Sequence, residues 1–309
     1  MVEIIMAAYN GEKYIKQQIE SIMKNTYENI HLTIYDDTKE AQTTAAMTDI
    51  LRLMTEKYGE KLTYKKNEQN KGCTRNFLEG LQASDAEYTM FSDQDDYWNK
   101  DKVERTLEKM KEMENKYGKD TPLVVFTDAI VVDSTLNLIH FSFHRSNHLN
   151  TKRVDLAHLL MENKLIGCTM MMNKALKNKI IAIPKNARVH DWWVALVAAA
   201  FGKIGYLEDS TILYRQHEDN VIGNQEYGSY IKKRLASLQS QREVIYSNMK
   251  QAEEFLEIYN MLLTKEQKSL IGRFANLNKR NWFYRRYAMY RYGYKKSGVP
   301  RNLGLLLVL

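Results

Sequence analysis

Apolar and polar positions along the chain repeat with two alternating periods. Residues 2–7, 31–35, 62–65 and 88–92 are short apolar runs that end in polar or turn-forming residues, the pattern of buried strands. Between them apolar residues return every three or four positions. Ile15, Ile19 and Ile22 predict a helix over 12–24, and further helices are predicted over 42–57 and 74–83. Strand and helix in alternation predict a parallel sheet covered on both faces. In such sheets ligands collect beyond the carboxyl ends of the strands. Four polar segments fall at those ends: Asn10, Asp37, the stretch 70–76 and the stretch 93–96.

Further along, 100–116 reads as a charged amphipathic helix and 123–133 as a valine-rich strand. Residues 161–173, with Gly167, Cys168 and a methionine run, read as a core strand. Residues 191–201 read as a helix entering the core, and 211–215 as a final strand. From about residue 229 the pattern becomes helical and rich in Lys, Arg, Gln and Glu, which places a boundary between 228 and 229. The predicted fold class is α/β over 1–228, with a helical region over 229–309.

Composition adds constraints. A chain of 309 residues that is 44% hydrophobic can bury a sizeable core. A formal charge of +7 suits an anionic partner, whether nucleotide, nucleic acid or acidic membrane, without choosing among them. Cys73 and Cys168 belong to no CxxC or Cys/His cluster, which argues against zinc and suits a reducing cytoplasm. The first residues lack the basic segment and cleavage site of a signal peptide, and no apolar run is long enough to span a bilayer; 303–309 is apolar but too short. The expected location is the cytoplasm, with peripheral contact to the inner face of the cell membrane left open.

The stretch 92–98 is the most informative. Asp93, Asp95 and Asp96 crowd three carboxylates into four residues at a strand end. Such crowding is relieved by a cation, by protonation or by solvent. Oxygen ligands suit Mg²⁺ or Mn²⁺. The alternative is a solvated acidic turn ahead of the next helix. No GxGxxG follows the first strand, which disfavours a nicotinamide or flavin enzyme.

Taken in order, these segments resemble the family 2 glycosyltransferases of GT-A fold. The matching residues are Ala8, Tyr9, Asn10 and Gly11 after the first strand and Asp36-Asp37 after the second. Asn70-Lys71-Gly72 with Arg75-Asn76 follows the third strand and Asp93-Gln94-Asp95-Asp96 the fourth. His190-Asp191-Trp192-Trp193 and Tyr214-Arg215-Gln216-His217 come later. The resemblance covers about the first 220 residues. It implies a mixed, mainly parallel sheet, with a nucleotide-sugar half over about 1–100 and an acceptor half over about 101–228. The last two motifs look most like bacterial rhamnosyltransferases that build cell-wall or capsular polysaccharide. One departure is visible: the family continues Asp-Asp with Gly-Ser, whereas Asp37 is followed by Thr38-Lys39-Glu40.

The resemblance implies roles. Asp37 would accept the ring N–H of a uracil or thymine, and Asp93 would hold the ribose. Ala8, Tyr9 and Asn10 would line the nucleotide pocket, with Asn70 and Gly72 shaping the loop beside it. Arg75 would face the diphosphate, as a guanidinium matches phosphate oxygens. Asp95 and His217 would hold Mn²⁺ or Mg²⁺. Asp191 is expected to be the catalytic base, since two adjacent tryptophans would desolvate it and raise its pKa. Trp192 and Trp193 are candidates for stacking on acceptor sugars, one of them belonging to the core. His140, His144 and His148 lack an evident ligand partner and read as surface residues. The implied reaction is inverting transfer of a sugar, L-rhamnose from dTDP-rhamnose being the first expectation, to a glycan acceptor that can be lipid-linked. A UDP-hexose-dependent transferase and a degenerate glycan- or membrane-binding scaffold are the alternatives.

Residues 278–301 interleave cations with aromatics, among them Lys279, Arg280, Arg285, Arg286, Trp282, Phe283 and Tyr287. This pattern suits an anionic membrane surface best, a helix packed on its own domain or on a second copy next, and RNA least. Oligomeric state is left open.

Overall fold

The computed structural model describes residues 1–39, 41–217 and 238–309. Four parallel strands open the fold: β1 (Val2–Ala8), β2 (Ile30–Asp36), β3 (Leu62–Lys66) and β4 (Tyr88–Ser92), side by side in the order β3-β2-β1-β4. The helices α1 (Ile15–Met23), α2 (Ala41–Tyr58) and α3 (Cys73–Ala83) connect them. After a two-residue strand β5 (Tyr97–Trp98), α4 (Lys102–Tyr117) leads into β6 (Leu123–Val132), β7 (Leu138–His140), α5 (Phe143–Ser146) and α6 (Leu156–Met161). The next elements are β8 (Met171–Asn173), α7 (Lys174–Lys177), α8 (His190–Phe201) and β9 (Lys203–Arg215). Strand β8 runs antiparallel between β4 and β6, and β9 lies parallel to β6, so the sheet continues as β4-β8-β6-β9-β5.

Strand alternation puts one core on each face of the sheet. Val2, Ile4 and Met6 of β1 pack with Ile15, Ile19 and Ile22 of α1, Leu51 of α2 and Val103 and Met110 of α4. Ile5 points the other way, into a cluster with Phe77 and Leu78 of α3 and Val194 and Val197 of α8. That second cluster also takes in α9 (Leu238–Tyr259), α10 (Lys265–Ala275), α11 (Trp282–Tyr292) and α12 (Val299–Val308), through Phe255, Ile271, Met289 and Leu305. The helices beyond residue 238 therefore share a core with the sheet. The predicted boundary between 228 and 229 lies outside the described residues. No helix among the described residues is long and apolar enough to cross a membrane.

Two strands differ from expectation. Residues 161–173 are not one strand: Met161 ends α6, and Gly167–Thr169 makes a 3₁₀ turn before the three residues of β8. The turn is closed by Thr169 and Met170 N–H groups on the Ile166 and Gly167 carbonyls, which bends the chain out of the ladder. Strand β9 begins at Lys203 rather than at 211. Its first half pairs with β6 although Gly205 breaks the apolar run. A Cβ there would lie 2.2 Å from Met113 Sδ, so the glycine lets α4 pack against the strand.

Candidate active site

The loops at the carboxyl ends of β1, β2 and β4 are fastened to one another. Asn10 has φ 49°, a left-handed turn just past β1. Its N–H donates to Thr38 Oγ1 at 3.0 Å. Thr38 is buried and its own N–H donates to Asp36 Oδ1 at 2.8 Å. The residue that departs from the family pattern thus ties the β1 loop to the β2 loop. The backbone of Tyr9 is held at both ends by Gln94, whose amide oxygen accepts from its N–H at 2.9 Å and whose amide nitrogen donates to its carbonyl at 2.8 Å. Gly11 leaves room for this, since a Cβ there would lie 2.1 Å from Gln94 Oε1. Ala8 is buried and the Tyr9 ring is half exposed.

Asp37 is buried beneath the next loop. It accepts from Asn67 Nδ2 at 2.8 Å and from the N–H groups of Lys71 and Gly72 at 3.2 and 3.0 Å. Gly72, at φ +77°, starts α3, and its N–H also donates to Asn70 Oδ1 at 2.9 Å. Cys73, in the first turn of α3, is an exposed residue; partial desolvation of its thiol and then the charges of Asp93, Asp191, Asp37 and Asp95 push it up. Four carboxylates from three separate segments, the loops after β2 and β4 and the start of α8, therefore lie near the start of α3. Arg75 is exposed and its Nε donates to Glu79 Oε1 at 2.5 Å, one turn along the same helix.

The crowding read from the sequence is real. Burial, then Asp96, Asp95 and Asp191, push the Asp93 carboxyl well above the carboxylate range. Burial and then Asp95 push Asp96 up to about 7. Asp96 accepts the Arg215 N–H at 3.1 Å through Oδ1, and its carboxyl also lies against the Cys168 thiol. Arg215 is 2% exposed. It donates at 2.6 Å to the carbonyls of Asp95 and Ser134 and to Gln17 Oε1, and lies over the Tyr14 ring. Asp95 Oδ2 and His217 Nε2 are 2.8 Å apart. Asn220, three residues beyond His217, lies outside the described residues.

Two donor sets could hold a divalent ion. Atoms of Asp93, Asp96 and Cys168 lie within 4.8 Å of one another. Burial and then the charges of Asp96 and Asp93 push the Cys168 thiol well up, and sulfur is a soft ligand that suits neither Mg²⁺ nor Mn²⁺. Asp95 with His217 offers an oxygen and an imidazole at the partly open rim, a donor pair that fits such an ion.

Asp191 sits in the first turn of α8 and is 7% exposed. Burial pushes its pKa up to about 7, against the hydrogen bonds it accepts from the N–H of Trp192 at 2.6 Å and of Gly167 at 3.0 Å. His190 beside it is also buried. Its ring stacks on Phe77 at 4.0 Å and meets Phe91 edge-on, and burial pushes its pKa down to about 3.

One of the two tryptophans was expected in the core and both pack inward, while one histidine is corrected. Trp193 is fully buried against Phe255 and Tyr259, so its indole cannot stack on a sugar. Trp192 is 8% exposed and its Nε1 donates to the Leu159 carbonyl at 2.6 Å, which also makes it a packing residue. His144 is not at the surface. It is 2% exposed, with Nδ1 2.9 Å from Asp128 Oδ1 and Nε2 2.9 Å from the Lys164 carbonyl, whereas His140 and His148 are exposed. Sequence reasoning missed Gln94, Thr38 and Arg215 as the ties of the site. Gln94 lay within the acidic motif, but only contacts 85 and 120 residues apart in the chain reveal what Gln94 and Arg215 do.

Comparison with known proteins agrees with this geometry. Residues 3–177 match the model of "Glycosyl transferase family 2". The dTDP-rhamnosyl transferase RfbG of Shigella flexneri is 27% identical over 239 residues, 71% of this chain and 73% of that protein. The putative teichuronic acid biosynthesis glycosyltransferase TuaG of Bacillus subtilis is 24% identical over 72% of this chain and 82% of its own length. An uncharacterised glycosyltransferase of Rickettsia typhi is 25% identical over 62% of this chain, which spans 56% of that relative. Among solved structures, S. aureus TarS 1-349 in complex with UDP-GlcNAc superposes with a TM-score of 0.57 at 19% identity, covering 95% of this chain and 76% of that one. Mannosyltransferase PcManGT from Pyrobaculum calidifontis, in complex with GDP-Man and Mn²⁺, gives 0.57 at 14% identity, covering 99% of this chain and 78% of that one. The fold is that of the GT-A glycosyltransferases, and with the family model matching more than half of its length, the chain belongs to glycosyl transferase family 2.

Proposed function

We propose that this chain transfers a sugar from a nucleoside diphosphate donor to a hydroxyl of a glycan acceptor, with inversion at the anomeric carbon. The observation that carries the reading is Asp191: a buried carboxyl with its pKa raised to about 7, on the same side of α3 as Asp37, Asp93 and Asp95, whose charges act with its own on Cys73. A base tuned close to the operating pH is the most effective kind. The acceptor oxygen attacks the anomeric carbon as its proton passes to Asp191. The bond from that carbon to the diphosphate oxygen breaks, and the nucleoside diphosphate leaves with the electron pair. One displacement with one base needs no covalent enzyme intermediate.

In this reading Ala8, Tyr9 and Asn10 would line the nucleotide side, Asp37 would take the base and Asp93 the ribose. Asn70 and Gly72 shape the loop that covers them. Arg75 would have to leave Glu79 to reach the diphosphate, a small rearrangement for an exposed ion pair. Mn²⁺ or Mg²⁺ held by Asp95 and His217 would supply positive charge for the departing diphosphate. The similarity to a dTDP-rhamnosyl transferase and to a putative teichuronic acid glycosyltransferase favours dTDP-rhamnose as donor and a bacterial polysaccharide as acceptor.

The test is a donor panel of dTDP- and UDP-sugars with Mn²⁺, Mg²⁺ or EDTA, read as release of nucleoside diphosphate. Metal-dependent release from dTDP-rhamnose is the expected result. Release from a UDP-hexose instead would keep the reaction and change the donor. No binding of any nucleotide sugar would leave a non-catalytic scaffold.

A further inference from the structure

Charge is distributed unevenly along this chain. Residues 267–309 hold ten of the 45 lysines and arginines and none of the 38 acids, which leaves −3 for the 266 residues before them. The structure folds this acid-free stretch into α11, α12 and most of α10. Helix α11 buries Ala288 and Met289, and α12 buries Leu305 and Val308. On the opposite side of α11, Phe283, Tyr287 and Tyr290 form one exposed row at spacings of four and three, with Phe283 78% exposed. On α12, Val299, Leu303 and Leu307 form a second exposed row at spacings of four. The two helices lie side by side in opposite directions: Arg285 donates to the Leu309 carbonyl at 2.9 Å and Arg286 to the Leu306 carbonyl at 2.5 Å. Around the rows stand Lys279, Arg280, Arg291 and Lys295, with Lys295 placed over the Tyr290 ring.

We propose that the α11–α12 pair is a docking surface for an anionic lipid bilayer. Its exposed rings and aliphatic side chains enter the headgroup boundary while its cations meet the lipid phosphates. Aromatic and leucine rows flanked by Lys and Arg are what an interface-lying helix requires. The charge sets aside a second copy, since two such faces would bring Lys279, Arg280, Arg291 and Lys295 of one against the same cations of the other, with no acid between them. The rings of α11 could stack on bases, but the aliphatic row Val299, Leu303 and Leu307 beside them is apolar surface that suits a lipid boundary and gives a nucleic acid nothing to bind. No helix among the described residues can cross the bilayer, so the contact is peripheral. This surface is independent of the donor chemistry.

The experiment is co-sedimentation of the full chain with vesicles of phosphatidylglycerol and phosphatidylcholine, and with vesicles of phosphatidylcholine alone. Binding to the anionic vesicles only, weakening as salt rises, is expected. The double variant Leu303→Asp, Leu307→Asp should lower partitioning roughly a hundredfold. Met261→Asp, at a 90% exposed position between α9 and α10, should leave it unchanged. A thermal melt shows that each variant is folded. Three results would overturn the proposal: no binding to anionic vesicles at low salt, binding undiminished in the double variant, or a dimer without vesicle affinity that the double variant dissociates.

Discussion

Acidification should destabilise the protein through His190. Its ring is enclosed by Phe77 and Phe91, and neither ring nitrogen has a hydrogen-bond partner among the described residues. Burial lowers its pKa from 6.5 to about 3. A folded-state pKa below the unfolded one means that stability is fully present above the unfolded value and is lost as pH falls toward the folded one. Between about pH 7.5 and about pH 5 the unfolded chain takes up nearly a whole proton here that the folded chain refuses. The loss is about 1.5 log units, or about 2 kcal/mol. Asp191 acts in the opposite sense. Its raised pKa gives stability that is fully present below the unfolded value and is lost as pH rises through about 7. The pH profile of the unaltered protein is therefore composite, and the comparison must be made against a variant. His190→Phe keeps an aromatic ring between Phe77 and Phe91 and cannot titrate. In denaturant unfolding it should gain about 2 kcal/mol on the parent between about pH 7.5 and about pH 5. Any packing mismatch enters equally at both pH values. An identical stability difference at the two pH values would refute the reasoning.

Other expectations follow from the same contacts. Turnover under saturating donor should rise about tenfold per pH unit below about pH 7 and level above it, as Asp191 loses its proton; a flat pH–rate profile would count against its role. Gln94→Ala removes both ties on the Tyr9 backbone and should weaken nucleotide binding about tenfold in calorimetry, with little change in melting temperature. Arg215→Met removes a buried cation with hydrogen bonds to Asp95, Ser134 and Gln17 and should lower unfolding free energy by about 3 kcal/mol.

Local pattern carried the first half of the fold. Strands β1 to β4 combine β-forming apolar runs with polar stops, and the residues after them meet at one edge for topological reasons alone. Prediction failed where partners were far apart in the chain. His144 looked solitary because Asp128 and the Lys164 carbonyl lie 16 and 20 residues away. Residues 161–173 looked like one strand because apolar content does not reveal a 3₁₀ turn whose Gly167 N–H reaches Asp191. Two adjacent tryptophans predicted a desolvated Asp191, and the carboxyl is buried. The Trp193 indole, however, packs on α9 through Phe255 and Tyr259. In the basic–aromatic stretch, composition could not tell inward from outward rings. Tyr294 is fully buried, whereas the apolar residues of α12 supply an exposed row that the earlier pattern of cations and rings did not include.

The central claim is that Asp191 takes the acceptor proton and does not hold the donor. Its most direct test is Asp191→Asn, compared with the parent for donor affinity by calorimetry and for transfer by product formation. Donor affinity within about twofold of the parent, with turnover lower by about a thousandfold or more, is the predicted result. Unchanged turnover, or a loss of transfer explained entirely by lost donor binding, would contradict it.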